Sequence, residues 1–375
     1  MIDKCATGKR IGSLRKGLGY SQAEFAEILG VSSQAVSKWE TGVSLPDIDV
    51  LFNMSWICKV SMNEILGDSA AGPAFGVDKR YLSLNNLLMC PLCREKMQLN
   101  YQNANHLYYE CKNAHRYQIT DGVVDFRVRE IPGEEWSLSY RNYADYLNDH
   151  HKPENPNYQR GLSSAGVIWT EIEKRRPRII LDMACGVGLG IKQQIRKINW
   201  PVTVIMTDLS HRILKWNQKF YSTEWKNPYV EMIYLACDGS ALPILDRSVD
   251  VVYSFAGYDS MQAKMKDGFR EAFRVLKNNG AAIYTKAAVE DLTGENSRRW
   301  MDLLFARLND RERLWWKELA LDPEQWIKFC EETGFTENTK TRIYGELPAP
   351  DTDQFPFKNE FAQWMAEYVY VSQKP

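Results

Sequence analysis

The sequence lacks the features that mark a membrane-spanning, secreted or strongly nucleic-acid-attracting chain. No apolar run approaches the roughly 18 residues of a membrane span. The first residues are charged, where a secretory signal would have an apolar core. The formal net charge is −1 over 375 residues, so overall charge does not indicate a nucleic-acid partner. We therefore expect a cytoplasmic protein with no membrane partner.

Cysteine is present but sparse, with eight residues in the chain. In a reducing compartment, clustered cysteines suggest metal ligation and scattered ones ordinary thiols. The length allows two or three domains, each with its own core. Composition therefore predicts a multidomain protein, and the motifs must supply its function.

Residues 1–68 show helix signals throughout. Ser21 with Glu24 three residues later forms a capping box, the pattern of a helix start. Two helices joined by a tight turn make a helix-turn-helix, so these residues predict an all-α domain of that type. The predicted helices are Gly8–Leu18, one capped by Ser21 and ended by Gly30, one capped by Ser32 or Ser33 and ended by Gly42, one opened by Pro46 and Asp47, and Ser61–Leu66.

The stretch SQAEFAEILGVSSQAVSKWETGVSLPD resembles the Cro/C1-type (XRE) family of DNA-binding domains along nearly its whole length. In that family the third helix enters the major groove. The resemblance implies that Ser33, Gln34 and Lys38 face bases. It also implies that Gln22 and Ser37 meet phosphates. DNA is then the expected partner, bound by a homodimer on a two-fold site.

A helical protein-interaction module is the alternative for this segment. Its seven basic residues face eight acidic ones, which is not the basic footprint of a tight DNA binder. We expect a single copy to bind DNA weakly.

Residues 69–83 are expected to form a linker and 84–130 a small β domain with a metal site. Cys90 and Cys93 form a C-x-x-C knuckle, and Cys111 and His115 supply a second pair. Four such ligands in two short-spaced pairs fit a closed tetrahedral Zn²⁺ site, which is structural because no position is open to water. His106 is a weaker alternative ligand, and a metal-free hairpin with reduced thiols is the alternative to zinc.

The metal segment, down to its tail RYQITDGVVDFR, resembles the Trm112-like zinc ribbons that are often joined to methyltransferases. It also resembles the zinc module of a bacterial large-subunit rRNA guanine methyltransferase, although the tail fits the first family better. The second resemblance leaves open an rRNA or tRNA base methyltransferase that uses the ribbon to bind RNA.

Residues 131–375 show the strand–helix alternation of an α/β sheet. Acidic residues follow three successive strands, at Asp182, Asp208 and Asp238, and a small-residue turn follows the first. Ligands of open α/β sheets bind at these carboxyl ends. The predicted strands are Ile179–Asp182, Val202–Thr207, Met232–Ala236, Val249–Phe255, Ala281–Thr285, Thr341–Gly345 and Glu367–Ser372, and the predicted helices include Trp136–His150, Gly268–Lys277 and Leu321–Gly334.

This order and the motif D-x-x-C-G-x-G resemble the class I S-adenosylmethionine (SAM)-dependent methyltransferases over most of residues 178–290. The resemblance implies a Rossmann-like, seven-stranded domain with SAM as cofactor. A nicotinamide dinucleotide enzyme is the alternative, but the turn has Ile191 where G-x-G-x-x-G needs its third glycine.

The resemblance also implies where each part of SAM lies. The methionine part lies against Gly186 and Gly188, with Asp182 near its amino group. Asp208 takes the ribose hydroxyls and Asp238 the adenine amino group. The remaining members of this expected site are Ala184 in the glycine turn, Leu209 packed on adenine, Gly239 beside Asp238, and Phe255 and Ala256 bordering the methyl group.

The methyl acceptor is less well indicated. The sequence after the fourth strand lacks an Asn-Pro-Pro-Tyr motif, which disfavours methylation of DNA amino groups. No Pro-Cys nucleophile lies near the sheet, which disfavours cytosine-C5 chemistry. The weak candidates for a catalytic base are Tyr258, Asp259, His150 and His151. The aromatic segment 289–320 could form a lid, a packed helical pair or a dimer surface.

Three functions remain at this point. The first is a small-molecule O- or N-methyltransferase fused to a DNA-binding domain that regulates its own operon. The second is a SAM-sensing transcriptional regulator without turnover. The third is the RNA methyltransferase, which is less favoured because the basic residues of 80–130 do not cluster.

Overall fold

The computed structural model describes residues 2–58, 60, 62–67, 78–103, 106–127, 141–150, 156–290, 321–345 and 365–375, with scattered positions between 294 and 317. These residues form two compact units, Met1–Asp78 and Lys79–Pro375. No helix in the described part of the chain is both long enough and apolar enough to cross a membrane.

The first unit is a bundle of short helices around a small core of its own. Phe25, Val36 and Trp39 are buried in this core, together with Ile11 and Met54. Gly8 lets α1 approach α3, because a Cβ there would lie 2.2 Å from the Trp39 carbonyl oxygen. The helices are α1 Lys4–Gly17, α2 Gln22–Leu29, α3 Ser33–Glu40, α4 Ile48–Cys58 and α5 Met62–Leu66.

The caps explain where these helices begin. The capping box of Ser21 and Glu24 is present, which confirms that prediction. Ser32 rather than Ser33 caps α3, since its side chain accepts from the Ala35 N–H. The first helix begins four residues before the predicted Gly8, because the Asp3 carboxylate caps it.

The second unit is built on one sheet. Its central strands β5 to β9 are parallel and lie in the order β7-β6-β5-β8-β9, and β11 is antiparallel to β9 and to β10 at one edge. This confirms a Rossmann-like, mostly parallel fold. The strands are β5 Ile179–Met183, β6 Val202–Asp208, β7 Val230–Ala236, β8 Val249–Phe255, β9 Leu276–Val289, β10 Glu337–Gly345 and β11 Met365–Gln373.

Helices cover both faces of the sheet, so the chain has an apolar cluster on each side. The tail of the predicted helix Trp136–His150 is present from Tyr143, and residues 136–140 lie outside the described part. The helices are α6 Lys79–Ser83, α7 Tyr143–His150, α8 Pro156–Arg175, α9 Leu189–Ile195, α10 His211–Thr223, α11 Gly257–Ser260, α12 Met265–Val275 and α13 Pro323–Thr333.

Two predicted boundaries in this unit were wrong. The helix expected over Gly268–Lys277 ends at Val275, and Leu276 already begins β9. The Asn-Asn-Gly sequence at 278–280 lies within β9, and backbone hydrogen bonds join Asn279 and Gly280 to Lys374. The predicted strand Thr341–Gly345 begins earlier, at Glu337, since that whole stretch pairs with β11.

Four short strands before residue 128 extend the same sheet. They are β1 Met97–Asn103, β2 His106–Cys111, β3 Arg116–Thr120 and β4 Val123–Asp125. β4 runs parallel to β7 and pairs with it. We call residues 84–127, which contain these four strands, the β module. Tyr109, Tyr117 and Val124 belong to one core cluster of the second unit, and Val123 belongs to the other. Within the described residues the sheet therefore has eleven strands, where the sequence predicted seven and a separate small domain.

Candidate functional site

The glycine turn after β5 is held by a ring of hydrogen bonds. Gly188 has φ +71°, and a Cβ there would lie 2.8 Å from both Met206 and the Tyr221 hydroxyl. Its lack of a side chain thus serves packing under the turn. The Asn217 amide donates to the Gly186 carbonyl at 2.9 Å. The Tyr146 hydroxyl donates to the Val187 carbonyl at 3.1 Å and bonds the Asn217 side chain.

Asp208, at the end of β6, is tied to this turn. Its carboxylate accepts the Gly186 N–H at 2.8 Å and the Ser210 N–H at 2.9 Å. Ser210 caps α10, so the acid is oriented by a glycine turn on one side and a helix start on the other. Its side chain is almost buried.

Asp182 lies one strand away and is 2% exposed. Burial, reinforced by repulsion from Asp208, raises the pKa of its carboxyl well above the usual range. A buried carboxylate is costly without a cationic or hydrogen-bonding partner. The pair of acids therefore favours a ligand that brings positive charge to this corner.

Asp238 follows β7 at the same edge of the sheet. Its carboxylate accepts from the Ser240 N–H and hydroxyl and from the Lys264 ammonium. Burial raises the pKa of Asp238, but these hydrogen bonds outweigh it and hold the pKa below its usual value. A Cβ on Gly239 beside it would be in tight contact with the ends of two methionine side chains, Met261 at 3.0 Å and Met183 at 3.2 Å.

The segment after β8 turns sharply beside this corner. Ala256 has φ +52° and donates its N–H to the Thr285 hydroxyl at 2.8 Å. Ala184 in the glycine turn is likewise at positive φ, +49°. Phe255 lies against Gly190: a Cβ built on Gly190 would be 2.5 Å from the Cβ of Phe255. Leu209 is half-buried at the adjacent strand end.

The candidate bases fall in very different places. Tyr258 is fully buried against Phe269 and Tyr284, and burial raises the pKa of its hydroxyl far above the usual range. It is part of the core cluster, which disfavours its predicted role as a base. Asp259 accepts the Ala287 N–H at 3.0 Å. His151 and the side chain of His150 lie outside the described residues.

Lys286 was missed in the sequence because a lysine in a strand usually faces water. Here it is fully buried on β9, 3.8 Å from the Asp259 carboxylate. Its ammonium also donates to the Ala287 carbonyl and lies over the Trp326 ring. A cation thus accompanies the acid at the end of the sheet.

Cys90, Cys93, Cys111 and His115 come together in the β module. Their ligand atoms all lie within 4.8 Å of one another. Cys90 Sγ is 3.4 Å and Cys111 Sγ 3.5 Å from His115 Nδ1, and the Cys93 and Cys111 sulfurs are 3.6 Å apart. These separations are close to the roughly 3.8 Å edge of a tetrahedron with ~2.3 Å zinc–sulfur bonds.

The predicted DNA-facing residues lie on one unit and are mostly exposed. Ser33, Gln34 and Lys38 on α3 are exposed, and Ser37 is partly so. Gln22 differs, because its amide donates to Glu40 at 2.8 Å. Glu40 also forms a fork with Arg15.

Comparison with known proteins supplies the families. Residues 11–65 match the family described as Helix-turn-helix, and residues 180–280 match the family described as Methyltransferase domain. The chain carries a helix-turn-helix domain and a methyltransferase domain.

Two curated relatives each match one of these domains. The malonyl-[acyl-carrier protein] O-methyltransferase of Marinomonas sp. (strain MWYL1) is 27% identical over 125 residues, 33% of this chain and 43% of the relative. The SPbeta prophage-derived HTH-type transcriptional regulator YonR of Bacillus subtilis (strain 168) is 37% identical over 59 residues, 16% of this chain and 55% of the relative. The chain therefore spans about half the length of the curated relatives it matches.

Solved structures resemble the methyltransferase domain more distantly. A geranyl diphosphate methyltransferase in complex with SAM is 13% identical, covering 60% of this chain and 93% of its own, with a TM-score of 0.42.

Residues of the β module also reach the methyltransferase domain's strand ends, which the sequence did not indicate. Asp125 ends β4 and pairs with Ala236. Arg127 Nη2 lies 2.7 Å from the Asp125 carboxylate. The Arg127 Nη1 lies 3.5 Å from the Leu209 carbonyl oxygen. Only a prediction that β4 pairs with β7 could have identified these two residues from the sequence.

Proposed function

We propose that the methyltransferase domain binds SAM and transfers its methyl group to the oxygen or nitrogen of a small molecule. The observation that carries this is the pair of buried acids, Asp182 and Asp208, around the glycine turn. SAM has an ammonium and a sulfonium, and both would offset the cost of burying Asp182.

The residues of the site divide the cofactor between them. Gly186 and Gly188 lie against the methionine part, and Asp208 accepts from the ribose hydroxyls. Leu209 packs on the adenine and Asp238 accepts from its amino group, with Gly239 leaving room beside it. Phe255 and Ala256 border the methyl group.

Bound SAM supplies a methyl group on a sulfonium, which needs alignment and exclusion of water more than covalent help. The backbone turns at Ala184 and Ala256 fix the two walls between which the acceptor must approach. Asp259 is the one described candidate left for taking a proton from the acceptor. The Lys286 ammonium lies 3.8 Å from its carboxylate.

We further propose that Cys90, Cys93, Cys111 and His115 hold a structural Zn²⁺. The donor set is the one zinc prefers, and the four ligand atoms already converge. Four protein ligands leave no position for a substrate, so the metal stabilises the β module and takes no part in the chemistry.

The helix-turn-helix domain is proposed to bind DNA as a homodimer and to regulate transcription, with the protein's own operon as one target. Ser33, Gln34 and Lys38 project from the exposed face of α3, and a glutamine or lysine can read base edges in the major groove. Ser37 lies close enough to this face to meet a phosphate. Gln22, already bonded to Glu40, would act through that contact.

Calorimetry with SAM tests the cofactor assignment. Asp208→Asn should weaken binding roughly 10- to 150-fold, because hydrogen bonds to a charged acceptor contribute about 1.5–3 kcal/mol. Asp267→Asn removes an exposed acid on α12 and should bind normally.

The affinity of the wild-type protein for SAM should rise with pH. The cation binds best to ionised Asp182, whose pKa is raised in the free protein.

Equal binding by wild type and Asp208→Asn would refute the site. Turnover of SAM with a metabolite pool would separate the enzyme from a SAM sensor, which would bind SAM without consuming it. Turnover that requires RNA would favour the RNA methyltransferase.

A further inference from the structure

We infer that the end of the β module is part of the cofactor site, and that Arg127 positions the segment Asp208–Ser210 that receives the adenosine. This inference rests on the proposed SAM function. It assigns a new role to residues 116–127, which we call the exit hairpin: β3, the turn at 121–122, β4 and the two residues after it.

The exit hairpin reaches the strand ends through the sheet itself. β4 pairs in parallel with β7, with Val124 opposite Leu235 and Asp125 opposite Ala236. The Phe126 N–H then donates to the Ala236 carbonyl at 2.8 Å. Because the two strands are parallel, the residues that follow them leave the same edge of the sheet. Arg127 therefore lies at the edge where Asp238 follows β7.

Arg127 has one part of its guanidinium fixed and another directed at the site. Nε and Nη2 donate to the Asp125 carboxylate at 2.9 and 2.7 Å, which makes a bidentate ion pair. Nη1 lies 3.5 Å from the Leu209 carbonyl, within reach of a weak hydrogen bond. Both side chains of the pair are about three-quarters buried. A bidentate ion pair of this kind holds the guanidinium in one orientation.

The same hairpin also holds α10, which begins directly after this segment. His211 Nε2 lies 3.2 Å from the Thr120 carbonyl, and Lys215 binds Asp121 at 2.7 Å. Gly122 lies against Gln218. Positions 211, 215 and 218 share one face of a helix, so the hairpin covers that face over two turns.

Asp208 is therefore oriented from both ends of a short segment. Its carboxylate accepts from Ser210, the cap of α10, and the hairpin fixes both α10 and the Leu209 carbonyl. If the hairpin shifts, the carboxylate and the Leu209 side chain shift together. The expected result is a loss of affinity confined to the adenosine half of the cofactor.

Titration calorimetry of the full-length zinc-loaded protein tests this with two ligands, SAM and 5′-methylthioadenosine, which lacks the amino-acid part. Arg127→Ala should weaken both about tenfold and by the same factor. Arg270→Ala is the control, since it removes an exposed arginine–aspartate pair on α12, outside the hairpin. It should leave both affinities within twofold of wild type.

Arg127→Lys separates positioning from stability. A lysine can keep the charge pair with Asp125 but cannot also extend a second donor to Leu209. It should unfold at the wild-type temperature and still bind SAM several-fold more weakly. Lys215→Met, which releases α10 from Asp121, should weaken both ligands in the same direction.

Wild-type affinity in Arg127→Ala would overturn the inference while leaving the proposed function in place. So would a weakening of SAM but not of 5′-methylthioadenosine, or a loss in Arg127→Lys that only follows a lower unfolding temperature. A wild-type protein that binds no SAM would remove the proposed function and this inference with it.

Discussion

At the scale of single residues, a buried ion pair holds the helices of the helix-turn-helix domain together. Arg15 and Glu40 join α1 to the end of α3 at 2.6 Å, with side chains 9% and 12% exposed. Gln22 on α2 donates to the same carboxylate. One acid thus ties together three helices of the helix-turn-helix domain, and the residue expected on a phosphate is part of that tie.

Glu40→Gln should lower the free energy of unfolding of this domain by about 2 kcal/mol. Removing one partner of a buried pair costs about 3–5 kcal/mol, and the amide keeps one acceptor for Arg15. Hydrogen exchange of the α1, α2 and α3 backbone amides in increasing urea would measure it for this domain alone. Glu27→Gln, on the exposed side of α2, is the control and should change nothing.

The same acid gives a pH dependence. Burial raises the pKa of Glu40, but hydrogen bonds from Arg15 and Gln22 outweigh it, so the pKa lies below the ordinary 4.5. A depressed pKa contributes stability that is present above 4.5 and is lost as the pH falls through the folded-state value. Wild type should lose this stability in acid, and the Gln variant should not.

At the scale of elements, the β module is bound to the methyltransferase sheet. Cys90 and Cys111 share one apolar core with Leu242 and Ile244 of the loop after β7. Residues 87–89 pair with 243–245, through Met89 N–H to the Pro243 carbonyl and Leu245 N–H to the Leu87 carbonyl. The four proposed zinc ligands therefore lie within the fold of the second unit.

Loss of zinc should consequently destabilise the methyltransferase domain. Wild type should contain about one zinc per chain, and chelation or Cys111→Ser should remove it and lower the second unit's unfolding temperature by about 5 °C or more. Metal analysis with differential scanning calorimetry would measure both. Cys5→Ser, an exposed cysteine of the first unit, should change neither. An unchanged transition in metal-free protein would contradict the structural role.

At the scale of the whole molecule, the chain has two units with separate cores. A change in one core need not disturb the other. DNA and SAM binding should therefore be lost independently by variants in the two units.

Gln34→Ala should weaken DNA binding by about 1–3 kcal/mol, because that is what a bidentate hydrogen-bonded contact with a base contributes. SAM binding should be unchanged. Asp208→Asn should do the reverse. Footprinting of the protein's own promoter region and calorimetry with SAM would measure the pair. Gln118→Ala, exposed on β3, is the control for Gln34. A full footprint from Gln34→Ala would refute the major-groove assignment. A SAM-dependent change in wild-type DNA affinity without turnover would favour the sensor.

The sequence by itself determined the features that depend on neighbouring residues. Ser21 and Glu24 specify a helix start through contacts three residues apart. The apolar runs before Asp182, Asp208 and Asp238 specify buried strands with acids at their ends. The spacing of one cysteine–cysteine pair and one cysteine–histidine pair predicted the four proposed zinc ligands, whose ligand atoms lie within 4.8 Å of one another. All of these signals are local, so they can be recognised along the chain.

Tertiary structure alone decided which distant segments pair. Only pairing of β4 with β7 places Arg127 beside Leu209, and only the packing of α13 on β9 buries Lys286 beneath Trp326. Gln22 likewise turns to Glu40 because α2 and α3 meet there. Such contacts depend on strand register and helix packing between residues far apart in sequence, and no pattern within either segment encodes them.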